Sequence, residues 1–192
     1  MVEYTTPVMG GFSANIQYWM GENNSNAAVG KTGNGLDLLA TYANGPIFVS
    51  FGTQTTKFSP ATAANGDYTL SAFSASYNFG PASLVYTYGK EKLAATVEAT
   101  NVNNLVGVIV PMGQYTFKAD YILGTRKTIA AGKGSLLGLG VDYALSKRSK
   151  LYATYAHVTN KDGGASYNTG GIGSATPNNS SSNLAVGVYH SF

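Results

Sequence analysis

Residues Tyr115–Leu123 read Tyr-Thr-Phe-Lys-Ala-Asp-Tyr-Ile-Leu, so that every second position carries an aromatic or apolar side chain. Successive side chains of a β-strand point to opposite faces of a sheet, and this period of two therefore predicts a strand with one apolar and one polar face. The same alternation recurs in Phe73–Phe79, Leu137–Tyr143 and Leu184–Phe192. Because no segment has a convincing helical period, the chain is predicted to be all-β.

The alternating runs predict eleven strands of about ten residues each, joined by antiparallel hairpins. They include Val2–Val8, Leu105–Val110 and Leu151–Val158, and the last of these has an ambiguous facing. Short turns are predicted at Val8–Gly11, Asn44–Pro46, Gly80–Pro81, Pro111–Gly113 and Ser146–Lys150. Long polar loops are predicted at Gly21–Asn34, Lys57–Asp67, Leu93–Asn104, Gly124–Gly134 and Asn160–Asn183.

Short and long connections alternate along the chain, and alternate connections of a meander lie at the same end of the sheet. All short turns are therefore expected at one rim and all long loops at the other, which is typical of barrels that cross the bacterial outer membrane. The apolar face would then meet lipid and the polar face water. The alternative is a soluble β-sandwich or a small ligand-binding barrel, in which the apolar face forms the core.

The composition excludes several classes of protein. The chain of 192 residues has no cysteine, which excludes disulfide scaffolds and thiolate metal sites. Charged residues make up 11% and the net charge is +3, with the basic residues scattered, so nucleic acid is not an expected partner. No apolar run approaches the roughly 18 residues of a transmembrane helix. The first residues lack a basic and an apolar region, so no signal peptide is expected in this chain.

Four segments of the sequence resemble the trimeric general porins of Gram-negative bacteria, in particular the beta-proteobacterial type. Gly140–Ala153 contains Asp-Tyr-Ala-Leu-Ser-Lys-Arg-Ser-Lys-Leu-Tyr-Ala, which is similar to a turn pattern of that family. Asn183–Phe192 resembles the family's terminal strand, although Tyr189 stands where the family often has Arg. Tyr4–Phe12 and Asn78–Ala82 are similar to its short hairpin turns.

The resemblance implies a sixteen-stranded transmembrane β-barrel, of which this chain would form about eleven strands. Counting back from Phe192, Val2–Val8 falls at the sixth strand, so residues 1–192 are expected to be the C-terminal part of a longer porin with no separate domains. An odd number of antiparallel strands leaves the first and the last running in the same direction. Closure of these eleven strands alone would need a parallel seam, and we therefore expect an incomplete barrel.

For function, the resemblance implies a passive diffusion channel for small hydrophilic solutes and ions in the cell outer membrane, with no catalysis and no cofactor or metal. The expected partners are outer-membrane lipid, the permeating solutes, two further copies in a homotrimer of the full-length protein, and the barrel assembly machinery. The assembly signal would comprise Val188, His190 and Phe192 on the last strand. The alternative function is a structural or adhesive barrel whose loops bind other surfaces, without an open pore.

In such a channel, function resides in the shape and charge of the lumen. Strand parity predicts a pore-lining charged set of Glu3, Asp37, Lys118, Asp120 and Asp142. A basic pore mouth near the long loops would comprise Lys57, Lys90, Lys92, Arg126, Lys127 and Lys133. This mouth would give a weak preference for anions, and the alternative is that these residues are ordinary rim charges.

Two other side-chain patterns bear on function. Tyrosines on the apolar faces suit an aromatic girdle at the level of the lipid head groups; they are Tyr18, Tyr42, Tyr77, Tyr86, Tyr88, Tyr121 and Tyr143. The only histidines, His157 and His190, have no carboxylate cluster beside them in the sequence. Neither a metal site nor a Ser-His-Asp triad is therefore expected.

Overall fold

The computed structural model describes residues 1–21, 32–57, 66–94, 99–127, 132–163 and 177–192. These residues form eleven β-strands: β1 (Val2–Thr5), β2 (Phe12–Trp19), β3 (Gly35–Asn44), β4 (Ile47–Thr56), β5 (Tyr68–Asn78), β6 (Ser83–Leu93), β7 (Ala99–Met112), β8 (Tyr115–Lys127), β9 (Gly132–Ala144), β10 (Ser149–Lys161) and β11 (Ser180–His190). The strands follow one another in the sheet in sequence order, with β1 and β11 at its two ends. The predicted all-β, antiparallel architecture is confirmed. Among the described residues there is no helix long and apolar enough to cross a membrane.

Several strands differ in length from the sequence-based prediction. β1 ends at Thr5, before Pro7, which has no N–H to donate to a neighbouring strand. β7 begins at Ala99 rather than Leu105 and runs through Pro111 to Met112. β8, β9 and β10 extend into segments predicted as long loops, because backbone pairing continues where the side chains are polar on both faces. The central parts of the predicted long loops lie outside the described residues.

The short connections fall where the sequence places turn-forming residues. β3 and β4 are joined by Gly45 and Pro46, and β7 and β8 by Gly113 and Gln114. Gly45 has φ +54° and Gly113 has φ +62°, a left-handed conformation that glycine adopts without the steric strain of a side chain. Two-residue loops with positive φ fit the twist of an antiparallel hairpin.

The chain divides into two compact units, which are described separately. Unit 1 comprises Met1–Ala75, Thr87–Val102 and Lys127–Ile129. Across β1–β4 of this unit, Tyr4, Ile16, Leu38 and Thr53 lie side by side in register. Their chain neighbours point to the other face, and this register separates the apolar face of unit 1 from its polar face.

Unit 2 comprises Ser76–Tyr86, Asn103–Arg126 and Ala130–Phe192. Across β8–β11 of this unit, Phe117, Val141, Ala153 and Val186 lie side by side in register. The register also settles the ambiguous facing of β10: Leu151, Ala153 and Tyr155 lie on the apolar face, because each pairs with apolar residues of β9 and β11.

The apolar faces are exposed. The exposed fractions are 42% for Phe117, 46% for Leu139 and 66% for Val188, and the only buried hydrophobic residue within the described ranges is Val158. A soluble sandwich or ligand-binding barrel would bury its apolar face, since each Å² of apolar surface left in water costs about 25 cal/mol. The arrangement therefore fits a sheet whose apolar face is covered by hydrocarbon.

Aromatic rings meet on the apolar face near the short turns. In unit 1, the ring centroids of Phe12 and Tyr42 are 4.4 Å apart. In unit 2, the centroids of Tyr115 and Tyr143 are 4.8 Å apart, and the Tyr143 hydroxyl donates a hydrogen bond to the Gln114 side-chain oxygen at 2.9 Å. Rings with an apolar body and a polar tip are favoured at a membrane interface, which agrees with the expected girdle at this end of the strands.

A charge placed in the middle of the apolar face should destabilise the folded chain in a bilayer. We expect Leu139→Lys to lower the free energy of unfolding by about 2–4 kcal/mol, the penalty for lysine near the bilayer midplane. Thr154→Lys is the matched control, because Thr154 is one residue along the sheet but on the polar face. Thr154→Lys should lower the free energy of unfolding by less than about 1 kcal/mol. Urea unfolding in phosphatidylcholine vesicles measures both, and equal costs would contradict the assignment of the faces.

Candidate functional site: the polar face

The polar face of unit 2 carries an ion cluster near the short-turn end of β8–β10. Asp142 Oδ2 accepts hydrogen bonds from Lys118 Nζ and from Lys150 Nζ, each at 2.7 Å. The Asp142 side chain is 15% exposed, whereas the two lysines are 42% and 39% exposed. The Lys150 ammonium also lies 5.6 Å from the centroid of the Tyr189 ring. Two lysines sharing one carboxylate leave one net positive charge at this position.

Glycines on the polar face make room for larger neighbours across the sheet. A Cβ atom built on Gly138 would lie 2.5 Å from Asp120 Oδ1, and one built on Gly187 would lie 2.5 Å from the Tyr152 hydroxyl. The Asp120 carboxylate and the Tyr152 ring therefore lie flat over these glycines instead of projecting from the face. Gly138 and Gly187 each occupy a polar-face position of an alternating strand, so their small size widens the space above the sheet.

The polar face of unit 1 is acidic. Asn15 Nδ2 donates hydrogen bonds to Glu3 Oε1 and to Thr5 Oγ1, each at 2.7 Å. Asp37 lies in register between Gln17 and Gln54. It lines a depression of about 210 Å³, whose other lining residues include the polar Asn15 and Gln54 and the apolar Leu39 and Leu70. The carboxylate and amide groups of this face suit contact with water and small solutes.

The structure places all five residues of the predicted pore-lining set on polar faces: Glu3 and Asp37 in unit 1, and Lys118, Asp120 and Asp142 in unit 2. Two further charges on these faces were missed. Lys150 could not be assigned to the polar face from the sequence, because the facing of β10 was ambiguous there. The second is Glu91, whose carboxylate accepts a hydrogen bond from Asn101 Nδ2 at 3.3 Å. Its alternation with the two lysines beside it in β6 is the sequence signal that could have identified its facing.

The residues of the predicted basic mouth that lie in strands do not all have the same facing. In unit 2, Arg126 has the facing of Lys118 and Asp120, whereas Lys133 pairs in register with Thr125 and lies on the apolar face. Lys127 follows Arg126 in β8 and takes the opposite facing. The sequence predicted a loop at Arg126, Lys127 and Lys133, where all three side chains could point toward the pore. The strands continue through these positions instead, and in a strand the facing alternates strictly.

The other three members of that set are in unit 1, as is Lys127. Lys57 forms an ion pair with Asp67. Lys90 and Lys92 alternate with Glu91 in β6 and therefore continue the facing of Tyr88. The Thr87 hydroxyl hydrogen-bonds with the Ser74 hydroxyl at 3.1 Å, which fixes Thr87 and Glu91 on the polar face and the two lysines on the other.

The proposed assembly signal lies at the exposed end of β11. Val188 is paired with Leu151 on the apolar face, and Phe192 is fully exposed beyond the strand. His190 Nδ1 hydrogen-bonds with the Ser149 hydroxyl at 2.8 Å, and its ring meets the Phe192 ring edge-on at 4.9 Å. In the part of the chain that the structure describes, no three His, Asp or Glu side chains are grouped so that they could hold a metal ion.

Comparison with known proteins gives matches along most of the chain. A family model described as Gram-negative porin matches residues 1–163. The outer membrane porin protein 32 of Delftia acidovorans is 29% identical over 201 residues, which cover 100% of this chain and 56% of that protein. The chain thus spans little more than half the length of this curated relative.

Solved structures show the same fold. A loop L8 deletion mutant of OmpT, an outer membrane protein of Vibrio cholerae, superposes with a TM-score of 0.69 at 17% identity, covering 98% of this chain and 61% of that one. A porin structure superposes with a TM-score of 0.65 at 17% identity, covering 97% of this chain and 60% of that one.

Lys118 and Lys150 both bind the Asp142 carboxylate, so either lysine alone can still provide its cationic partner. Lys118→Gln or Lys150→Gln alone should lower the free energy of unfolding by less than about 1 kcal/mol, because the other lysine still holds Asp142 and the pairs are partly exposed. The double variant should cost more than the sum of the two, since Asp142 is then left without a cationic partner. Urea unfolding of the four proteins measures the coupling, and strict additivity would contradict it.

Proposed function

The chain belongs to the Gram-negative porin family, and from this premise we propose that it forms part of the wall of a passive diffusion channel for small hydrophilic solutes and ions in the outer membrane. The observation that carries the proposal is the division of each unit into an exposed apolar face and a polar face of charged, amide and hydroxyl side chains. Lipid covers the first and water the second.

Passage through such a channel requires no reaction. Solutes cross in their hydration shells, and the wall acts through its width and its electrostatic field. Because Gly138 and Gly187 have no side chains, the larger side chains beside them lie close to the sheet. More of the channel's cross-section is then open to water. Because this chain corresponds to about half of its relative, the activity is that of the whole protein.

The charges of this part of the wall support cation entry rather than the anion preference expected from the sequence. The polar faces of the described strands carry five carboxylates: Glu3, Asp37, Glu91, Asp120 and Asp142. They carry three cationic side chains: Lys118, Arg126 and Lys150. Four of the six basic residues behind the anion preference, Lys90, Lys92, Lys127 and Lys133, have the apolar facing. We therefore propose that this wall segment weakly favours cations.

For the partners of the whole protein, we propose assembly as a homotrimer and recognition of Val188, His190 and Phe192 by the barrel assembly machinery. Family membership supports the first. The exposure of Val188 and Phe192 at the end of β11 supports the second, because an assembly factor can reach them.

Conductance tests the channel proposal directly. The full-length protein, added to planar bilayers in KCl, should give discrete ohmic steps of constant size. A folded, membrane-inserted protein that gives no steps would overturn the proposal and favour a structural or adhesive barrel.

The reversal potential tests the charge proposal. Under a KCl gradient, the potential should have the sign of weak cation preference, and Asp37→Asn should shift it toward anion preference because one carboxylate of the lumen is removed. The shift should shrink at high salt, since a Debye length of about 3 Å at 1 M screens the charge. Lys147→Gln, in the β9–β10 turn, is a control outside the lumen. An unchanged potential in Asp37→Asn at low salt would contradict the assignment of Asp37.

A further inference from the structure

Two leucines of unit 1 lie on the polar face. Leu39 follows Asp37 by two residues in β3 and therefore shares its facing, and its side chain is 42% exposed. Leu70 of β5 also has the polar facing, because the hydroxyl of its chain neighbour Ser71 hydrogen-bonds at 3.2 Å with that of Thr53, which lies on the apolar face. The leucines thus place apolar surface on the side of the wall that we assign to water.

Both leucines line the depression of about 210 Å³ that also contains Asp37 and Gln54. Gly52 keeps the depression open: a Cβ atom built there would lie 3.6 Å from Leu39 Cδ1, so a longer side chain at this position would cover the leucine. A concave surface with an apolar lining and a few polar groups is the usual form of a small-molecule site. Here the polar groups include a carboxylate, which selects a cation.

The Asp37 carboxylate is not used by the fold of the described residues. On the same face, Glu3 accepts a hydrogen bond from Asn15, and Glu91 accepts one from Asn101. The side chain of Asp37 has no hydrogen bond or ion pair with any residue that the structure describes. Its charge is therefore free to bind a cationic solute.

The amides beside Asp37 offer oxygen atoms rather than N–H groups. Both N–H groups of the Asn15 amide donate to side chains of β1. Gln54 Nε2 donates to Thr56 Oγ1 at 3.3 Å. The side-chain oxygens of Asn15 and Gln54 accept no hydrogen bond within the described ranges, so the depression has two amide acceptors in addition to the carboxylate. A primary ammonium group, with three N–H donors and no acceptor, matches this set.

We propose that the depression binds primary ammonium solutes with a short alkyl body. The ammonium group lies against Asp37 and the amide oxygens, and the alkyl body covers Leu39 and Leu70. An inorganic cation gains only the first of these contacts. The site is open to water, so binding is weak and reversible, as passage through a channel requires. The inference rests on the proposed channel function and deepens it, because it names a class of solute.

The test titrates the full-length protein, in neutral detergent micelles, with n-butylammonium, methylammonium and n-butanol. Saturation-transfer NMR measures binding, with protein-free micelles as the reference. The wild type should bind n-butylammonium about eightfold more tightly than methylammonium, at about twofold for each added, half-buried CH₂ group. n-Butanol, which has the alkyl chain without the charge, should bind about fivefold more weakly than n-butylammonium.

Two substitutions separate the two parts of the site. Asp37→Asn should weaken n-butylammonium binding about fivefold and leave n-butanol binding unchanged. Leu39→Ser should reduce the preference for n-butylammonium over methylammonium about threefold without changing the affinity for methylammonium. Asp120→Asn and Phe48→Ser are the matched controls, because they remove a carboxylate and an apolar side chain from the polar face outside the depression. Both should bind n-butylammonium as the wild type does.

Equal affinities of the wild type for n-butylammonium and methylammonium would overturn the proposal, since the leucines would then contribute nothing. Equal losses in Asp37→Asn and Asp120→Asn would also overturn it, because the general field of the lumen would then explain the binding. If Leu39→Ser does not fold, Leu70→Ser must show the same threefold loss of preference. Conductance steps without n-butylammonium binding would reject the site alone, whereas binding without conductance steps would reject the channel alone.

Discussion

Backbone N–H and C=O groups inside hydrocarbon have no water to bind, so each needs a partner within the protein. Pairing of consecutive antiparallel strands supplies these partners, and it fixes the facing of every side chain at the same time. In this chain the pairing continues beyond the apolar band, as Thr125, Lys133 and Lys161 show. The positions of the charges therefore follow from backbone hydrogen bonding rather than from the properties of loops.

This constraint divides the charged residues into two groups with different surroundings. The first group lies on the polar faces, where Asp142 holds two lysines and Asp37 lies among amides. The second group, including Lys133 and Lys161, lies above the exposed apolar residues. A change of one residue in register would exchange the groups, because facing in a strand alternates with a period of two.

Much of the fold could be predicted from the sequence because the signal is local. Alternation such as that of Tyr115–Leu123 identifies the strand and its apolar face, and Gly45 and Gly113 mark tight turns. Strand ends could not be predicted as well, since residues such as Lys133 and Lys161 give no hydrophobic period while the backbone still pairs. The polar-face set was found by parity, but the contact of Lys150 with Asp142 depends on a register between β9 and β10 that no local pattern specifies.

The assignment of the apolar face to hydrocarbon and of the polar face to water can be measured by spin-label accessibility along β8. The chain has no cysteine, so single cysteines can be placed at each position from 116 to 121 in turn and labelled with a nitroxide in phosphatidylcholine vesicles. We expect a period of two. Labels at Phe117, Ala119 and Tyr121 should collide mainly with oxygen dissolved in lipid, and labels at Thr116, Lys118 and Asp120 mainly with a water-soluble nickel complex. Accessibility without this alternation, or with the two sets reversed, would contradict it.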